Sequence, residues 1–272
     1  MINNLRFELS FKNILQLENK LNFCNSHNIK KINIPCKGVI KKEFLNEVIE
    51  FIGKNYENLD VTYHYSLYHQ YTKNRIYSYL EFLSFINKCR TYKKSNILLI
   101  SGSIKRKNFE VLDVLRDIKN EKELEINFGV AYNPYLEKYY KISGERLRIK
   151  EKLSSRLIKS VWLQYGTDIK LLESEINFLK ETIQNKSLNK NYQSVRIFGS
   201  LLIPSKQFIS RFKFRPWKGV FISDKYLTSL DDFYSFTKDL FKFYIDNNIF
   251  PVIETECSSI DKLYDIYRLF KN

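Results

Sequence analysis

Short runs of β-branched and aromatic residues alternate along this chain with longer amphipathic stretches rich in lysine and glutamate, and this alternation constrains the fold most. Arg6–Leu9, Lys31–Ile34, Asp60–Tyr65, Asn96–Ile100, Ile126–Ala131, Ser160–Gln164, Val195–Leu202 and Phe250–Glu254 read as eight strands. Between them, Lys42–Tyr56 sets Phe44, Leu45, Val48, Ile49 and Ile52 at spacings of three and four, one face of a helix. Lys73–Cys89, Phe109–Lys119, Glu145–Lys159, Leu171–Thr182, Ser229–Asn247 and Ser259–Lys271 follow the same pattern. Strands alternating with helices imply right-handed crossovers and a parallel sheet. Eight such units in 272 residues fit a closed barrel, which takes about 250. An open sheet is disfavoured because no glycine-rich phosphate loop follows the first strand. The expectation is an α/β chain, a (β/α)8 TIM-type barrel in a single domain over 1–272.

Two stretches break the regularity. Phe212–Ser223 (FKFRPWKGVFIS) reads as an extra element whose Gly219–Ser223 could add a ninth extended run, and Asn185–Ser194 reads as a polar connector. Neither has the composition of a domain linker.

The net charge of +15, from 45 basic and 30 acidic residues, would suit an anionic partner. Alanine, however, occurs once, at Ala131, while Lys, Asn, Ile, Tyr and Phe abound, as in a chain from a strongly AT-rich genome. The basic residues are also spread along the chain rather than gathered in a tail, which argues against a nucleic-acid partner. Cys24, Cys36, Cys89 and Cys257 are scattered and form no CxxC pair, so reduced thiols are expected. Three histidines, His27, His64 and His69, make no HExxH or Cys/His cluster, so no metal site is expected. No apolar run is long enough to span a membrane and no charged-then-apolar leader opens the chain; the expected location is cytoplasmic.

In such barrels chemistry sits at the C-terminal strand ends. The candidates are Glu8, Pro35–Lys37, His64 and Tyr65, Ser101–Ser103, Tyr132–Pro134, Gln164 and Tyr165, Leu202–Pro204, and Glu254 with Glu256. Amides, hydroxyls and aromatics outnumber acid/base pairs here, which suits a flat heteroaromatic ligand.

Several of these strand ends resemble methylenetetrahydrofolate reductases, in order and at comparable spacing. Phe7-Glu8-Leu9 resembles the family's first-strand glutamate, and Asp60–Tyr65 its third-strand histidine segment. Ile97–Ser103 (ILLISGS) stands where the family has a hydrophobic strand ending in Arg-Gly-Asp. Phe128–Pro134 (FGVAYNP), with Ala131, resembles its Gly-Val-Ala-x-x-Pro strand. Ile149–Gln164 resembles the stretch from a lysine-bearing helix to a sixth-strand Thr-Gln-Phe, and Val195–Pro204 the Pro-Gly-Ile-x-Pro region. FRPWKGVF is similar to a segment of a divergent bacterial branch akin to the actinobacterial proteins.

The resemblance implies reduction of a folate-borne methylene group to a methyl group by a nicotinamide, NADH or NADPH. Glu8 would be the general acid that opens the methylene bridge, its pKa raised toward neutrality by an apolar surrounding. Gln164 would hydrogen-bond the pterin or the nicotinamide, and His64 would line the pocket. Glu145 and Lys152 match helix positions used around the cofactor, and Tyr132 and Tyr165 would stack on the pterin. From the residues alone, Glu145 and Lys152 read more readily as solvated helix faces, and Tyr132 and Tyr165 also suit ordinary barrel packing.

The departures from the family bear on the cofactor. Ser101 and Ser103 stand where FAD-binding members carry Arg and Asp, so either Glu254 or Glu256 supplies the acid or the cofactor is held differently. The divergent branch includes members that dispense with flavin, so NADH without firmly bound FAD is expected, with FAD as the alternative. Lys37, Lys105, Arg106 and Lys107 would meet the anions of the dinucleotide or of a folate glutamate tail. Arg215 would fork onto a carboxylate and Trp217 cover a ring, or Pro216 and Trp217 would pin a long loop to the barrel rim. The alternatives are a folate-dependent methyltransferase on the same barrel, a basic nucleic-acid-binding protein, and a non-catalytic barrel. A homo-oligomer is compatible with the sequence.

Overall fold

The computed structural model describes residues 5–72, 74–101, 109–121, 124–185, 195–255 and 259–271. Its strands are β1 (Arg6–Leu9), β2 (Lys31–Ile34), β3 (Asp60–Ser66), β4 (Asn96–Ile100), β5 (Asn127–Tyr132), β6 (Ile158–Leu163), β7 (Arg196–Leu202) and β8 (Phe250–Thr255). They close a barrel in chain order. The ladders β1–β2, β2–β3, β3–β4 and β6–β7 are parallel. The helices are α1 (Ile14–Ser26), α2 (Lys42–Asn55), α3 (Leu67–Gln70), α4 (Arg75–Thr91), α5 (Val111–Asp117), α6 (Leu136–Tyr140), α7 (Glu145–Ser154), α8 (Ile169–Gln184), α9 (Lys206–Phe214), α10 (Asp224–Thr228), α11 (Leu230–Asp246) and α12 (Ile260–Lys271). The chain falls into two compact units, Met1–Gly129 with Glu254–Asn272, and Val130–Ile253.

All eight expected strands form, within two residues at each end. The seven expected helices also form, and side-chain caps set several starts. Asn74 accepts from the amides of Ile76 and Tyr77, Asp168 from Leu171, and Ser229 from Asp232, each satisfying an N–H that the first helical turn leaves open.

Five helices were not expected: α1, α3, α6, α9 and α10. Of these, α1 is hidden by its polar composition, since its buried face includes Lys20, whose ammonium donates to the Ser10 carbonyl. The ninth extended run is corrected. Phe212 belongs to α9, and Gly219–Ser223 supplies one parallel bridge, Phe221 opposite Gly166. Gly219 turns at φ +84°, and the carbonyls that a ladder would use go to side chains. Asn133 Nδ2 donates to Gly219 O at 2.8 Å, and the Tyr140 hydroxyl to Val220 O at 2.6 Å. The connector at 186–194 lies outside the described residues.

Strand alternation sorts the first unit into two faces. Phe7 and Leu9, Ile32 and Ile34, Tyr63 and Tyr65, and Ile97 and Leu99 are buried apolar positions, with Tyr65 against Phe82 and Phe85 of α4. Most of the alternate positions are polar, among them Arg6, Glu8, Asn33, Asp60, Thr62, His64 and Asn96, whereas β4 continues with Leu98 and Ile100.

Candidate active site

The polar positions of β1 to β5 form two linked layers in the first unit. The lower layer is a continuous hydrogen-bonded row. Asn127 Nδ2 donates to Asn96 Oδ1 at 3.1 Å, Asn96 Nδ2 to Asp60 Oδ1 at 2.8 Å, and Arg6 Nη2 to Asp60 Oδ2 at 2.7 Å. Arg6 is buried, and its Nη1 also donates to Ile32 O at 2.8 Å and Thr62 Oγ1 at 3.1 Å. A guanidinium satisfies several strands at once because it carries five donors in a fixed fork.

The upper layer holds the candidate chemistry. Glu8, near the end of β1, is buried; its Oε1 accepts from Lys37 Nζ at 2.7 Å, and its Oε2 lies 3.9 Å from His64 Nε2. Asn33 Nδ2 lies 3.0 Å from the same His64 nitrogen. The register that sets Glu8 opposite Asn33, and Asn33 opposite Thr62, builds this group from three neighbouring strands.

The proton-donor state expected of Glu8 is corrected. Burial pulls its pKa upward, but the Lys37 ammonium and its hydrogen bond, with His64, leave it below the ordinary carboxylate value. Glu8 is therefore a carboxylate at neutral pH. The His64 pKa is also lowered, to about 4, by burial, with Lys37 and Arg6 opposing and Glu8 favouring its charge. The layer thus holds one carboxylate, one ammonium and one neutral imidazole. Lys37, read from sequence as an anion contact, has its charge engaged by Glu8, although its side chain remains 50% exposed.

Ser101 is exposed just after β4, and Glu254, half-buried, lies on β8. Ser103, Lys105, Arg106, Lys107 and Glu256 lie outside the described residues.

In the second unit the structure gives several candidates packing roles. The Tyr132 hydroxyl donates to Glu175 Oε2 on α8, so the ring lies on the helix-covered side of β5. Burial, then that bond, pushes its pKa far up. Arg146 Nη2 pairs with Glu175 Oε1 at 2.7 Å, and its Cζ lies 4.7 Å from the centroid of the Phe178 ring. Glu145 Oε1 accepts the Asn133 amide at 3.1 Å, and Lys152 Nζ donates to Ala131 O at 3.0 Å; both clamp the chain that leaves β5. A cavity of about 410 Å³ touches Tyr132, Asn133, Glu137, Lys138, Arg146 and Glu175. Of its charged groups, Arg146 pairs with Glu175, Lys138 with Asp168 and Glu145 with Arg148.

Gln164 is different. Its Oε1 accepts from the Tyr165 amide at 3.0 Å and its own amide donates to Tyr132 O at 2.9 Å. Among the described residues nothing accepts from its Nε2, so a half-buried amide with two N–H groups stands at the end of β6. Tyr165 is fully buried, 6.5 Å from the Phe233 ring. Trp217 packs edge-on against Phe208 at 5.3 Å and Phe212 at 6.2 Å, which pins the loop, while Arg215 is exposed.

Sequence reasoning missed Arg6, Asn33 and Glu175. The signal for the first two was present, since a polar residue at every second position of an otherwise apolar strand marks a polar interior face. Cys24, Cys36 and Cys89 are free and buried, with burial pushing Cys24 to about 12 and Cys36 to about 11, as suits inert core thiols. Among the described residues there is no metal-holding cluster, and no helix is long and apolar enough to cross a membrane.

No protein-family model and no curated protein matches the sequence. Solved structures do. Active domain 2 of a thermostable chitinase from Pyrococcus furiosus aligns with TM-score 0.55 and 12% identity over 93% of this chain and 84% of that one. A thermostable aldo-keto reductase in complex with the inhibitor epalrestat gives 0.53 and 11% over 99% and 90%. A putative 2,5-diketo-D-gluconic acid reductase B gives 0.53 and 10% over 99% and 82%. Identities this low establish the fold: the chain is a parallel eight-stranded α/β barrel. A chitinase and two reductases share it, so the function must be argued from the site.

Proposed function

We propose that this protein is an oxidoreductase with a nicotinamide hydride donor, and that its substrate is methylenetetrahydrofolate, reduced to methyltetrahydrofolate. The observation that carries this reading is the buried Glu8 carboxylate near the end of β1, held against Lys37 and His64. It stands where the resemblance to methylenetetrahydrofolate reductases puts the reactive glutamate. Reductases among the structural neighbours are consistent with the same chemistry.

Opening the methylene bridge produces an iminium cation, the hydride acceptor. A buried carboxylate stabilises that cation strongly because little water screens it. The leaving amine also needs a proton, which resting Glu8 does not carry. Lys37 is the half-exposed member of the pair, so an incoming ligand displaces it first. With Lys37 gone, burial is the largest remaining influence on Glu8 and raises its pKa toward that of a proton donor.

In the second unit, Gln164 offers two N–H donors of the kind a nicotinamide carboxamide oxygen accepts. The described end of β4 offers Ser101 and no acid, so no step is assigned to a flavin.

The test is NADH absorbance in the purified protein with and without methylenetetrahydrofolate, preceded by a visible spectrum. The expected result is a colourless protein whose NADH oxidation depends on the folate, and a loss of roughly 10²–10⁴-fold in Glu8→Gln. A yellow protein with flavin bands would make FAD the hydride carrier. Absence of folate-dependent oxidation would overturn the reading and favour the methyltransferase alternative, tested with methyltetrahydrofolate and a thiol acceptor.

A further inference from the structure

Asn33 sits between a group that can only donate and a group that can do either. On one side its Oδ1 lies 3.4 Å from Arg6 Nη1, and on the other its Nδ2 lies 3.0 Å from His64 Nε2. Arginine has no acceptor, so the amide oxygen must face it, and the amide nitrogen is left facing the imidazole. Arg6 cannot swing away to permit the reverse orientation, because its bonds to Ile32 O, Thr62 Oγ1 and Asp60 Oδ2 hold it. A ring nitrogen that receives an N–H cannot carry a proton of its own.

We infer that Arg6 and Asn33 are positioning residues that hold His64 in its neutral tautomer, with the proton on Nδ1 and the Nε2 lone pair committed to Asn33. The surroundings agree. Glu8 on β1 favours a charged ring, while Lys37 after β2 and Arg6 on β1 oppose it, and the ring is buried. One consequence concerns Glu8. His64 Nε2 has no hydrogen to give across the 3.9 Å to Glu8 Oε2, so no hydrogen bond runs from this nitrogen to the carboxylate that Lys37 engages. The arrangement keeps the histidine from competing for the carboxylate, and it rests on geometry alone, independent of which reaction the protein catalyses.

Imidazole nitrogens report their tautomer through long-range proton–nitrogen correlation spectra. The chain has three histidines, so His27→Gln and His69→Gln suffice to assign His64. In the wild type, His64 should show the Nδ1–H pattern at neutral pH and titrate near 4. Asn33→Asp keeps the shape and the Arg6 contact but places an oxygen opposite Nε2. The ring should then carry a proton on Nε2, and its midpoint should rise by about one pH unit or more. Asn33→Ala should leave the tautomers mixed. A purely structural role for Asn33 would leave tautomer and midpoint unchanged in a folded Asn33→Asp protein, and that result would overturn the inference. An Nε2–H or imidazolium pattern in the wild type at neutral pH would overturn it too, so the question is decided even if both Asn33 variants fail to fold.

Discussion

His64 is neutral chiefly because it is buried, with Lys37 and Arg6 opposing its charge and Glu8 favouring it, and this makes it a source of pH-dependent stability. Its folded pKa, about 4, lies below its ordinary value of 6.5. The stability linked to its neutral form is complete above 6.5 and is lost as pH falls toward 4, because the unfolded chain takes up the proton first. Glu8, also lowered, adds a loss of the same sign below 4.5. The melting temperature should therefore fall on acidification, with His64 contributing up to roughly 3 kcal/mol. His64→Gln, which keeps an acceptor for Asn33, should flatten that slope between 6.5 and 4; an unchanged slope would refute the assignment. His69, lowered by partial burial, remains in both proteins and cancels in the comparison. Glu8 and His64 were legible in sequence because each is polar near the end of an apolar strand. Asn33 and Arg6 were not, because their roles depend on partners 26 to 56 residues away. Tyr132 was read as a ligand platform and turns instead to Glu175, 43 residues on, because strand alternation places it on the helix-covered face.

The ends of the helices show a second consequence of composition. The chain has eight glycines, and five of its described helices reach a left-handed terminal residue without one: Asn28 (φ 55°), Lys93 (53°), Lys141 (51°), Arg156 (64°) and Asn248 (57°). A side chain in that conformation costs about 1 kcal/mol or more, least for asparagine. Arg156 is exposed, so Arg156→Gly should stabilise the protein by roughly 0.5–1 kcal/mol in urea unfolding. The opposite exchange should fail within β7. A Cβ at Gly199 would overlap the Tyr244 ring of α11, whose hydroxyl donates to Ser200 O at 3.1 Å and holds it there. Gly199→Ala should therefore cost about 1–3 kcal/mol. Equal signs for the two exchanges would show that backbone conformation and packing do not set them. Strands were the most legible elements, being short apolar runs bounded by polar residues. Helices whose buried faces include lysine, as in α1, or which span barely two turns, as in α9, left little periodic signal.

Arg6 is the side chain through which the whole molecule can be questioned. It joins β1 to β2 and β3 through donors to Ile32, Asp60 and Thr62, so Arg6→Met leaves buried acceptors without a partner. The loss should be roughly 3–5 kcal/mol, a fall in melting temperature on the order of 6–10 °C. Both tryptophans, Trp162 and Trp217, lie in the second unit, whereas Arg6 lies in the first. The boundaries between units fall inside strands, after Gly129 in β5 and after Ile253 in β8, so neither unit owns all the strands it uses. Arg6→Met should therefore move the tryptophan fluorescence transition and the far-ultraviolet helix signal together, by the same amount and with one midpoint. If fluorescence kept its wild-type midpoint while only part of the helix signal shifted, the units would be separate folding domains. In that event the single-domain barrel expected from the strand and helix pattern would describe the topology but not the cooperativity.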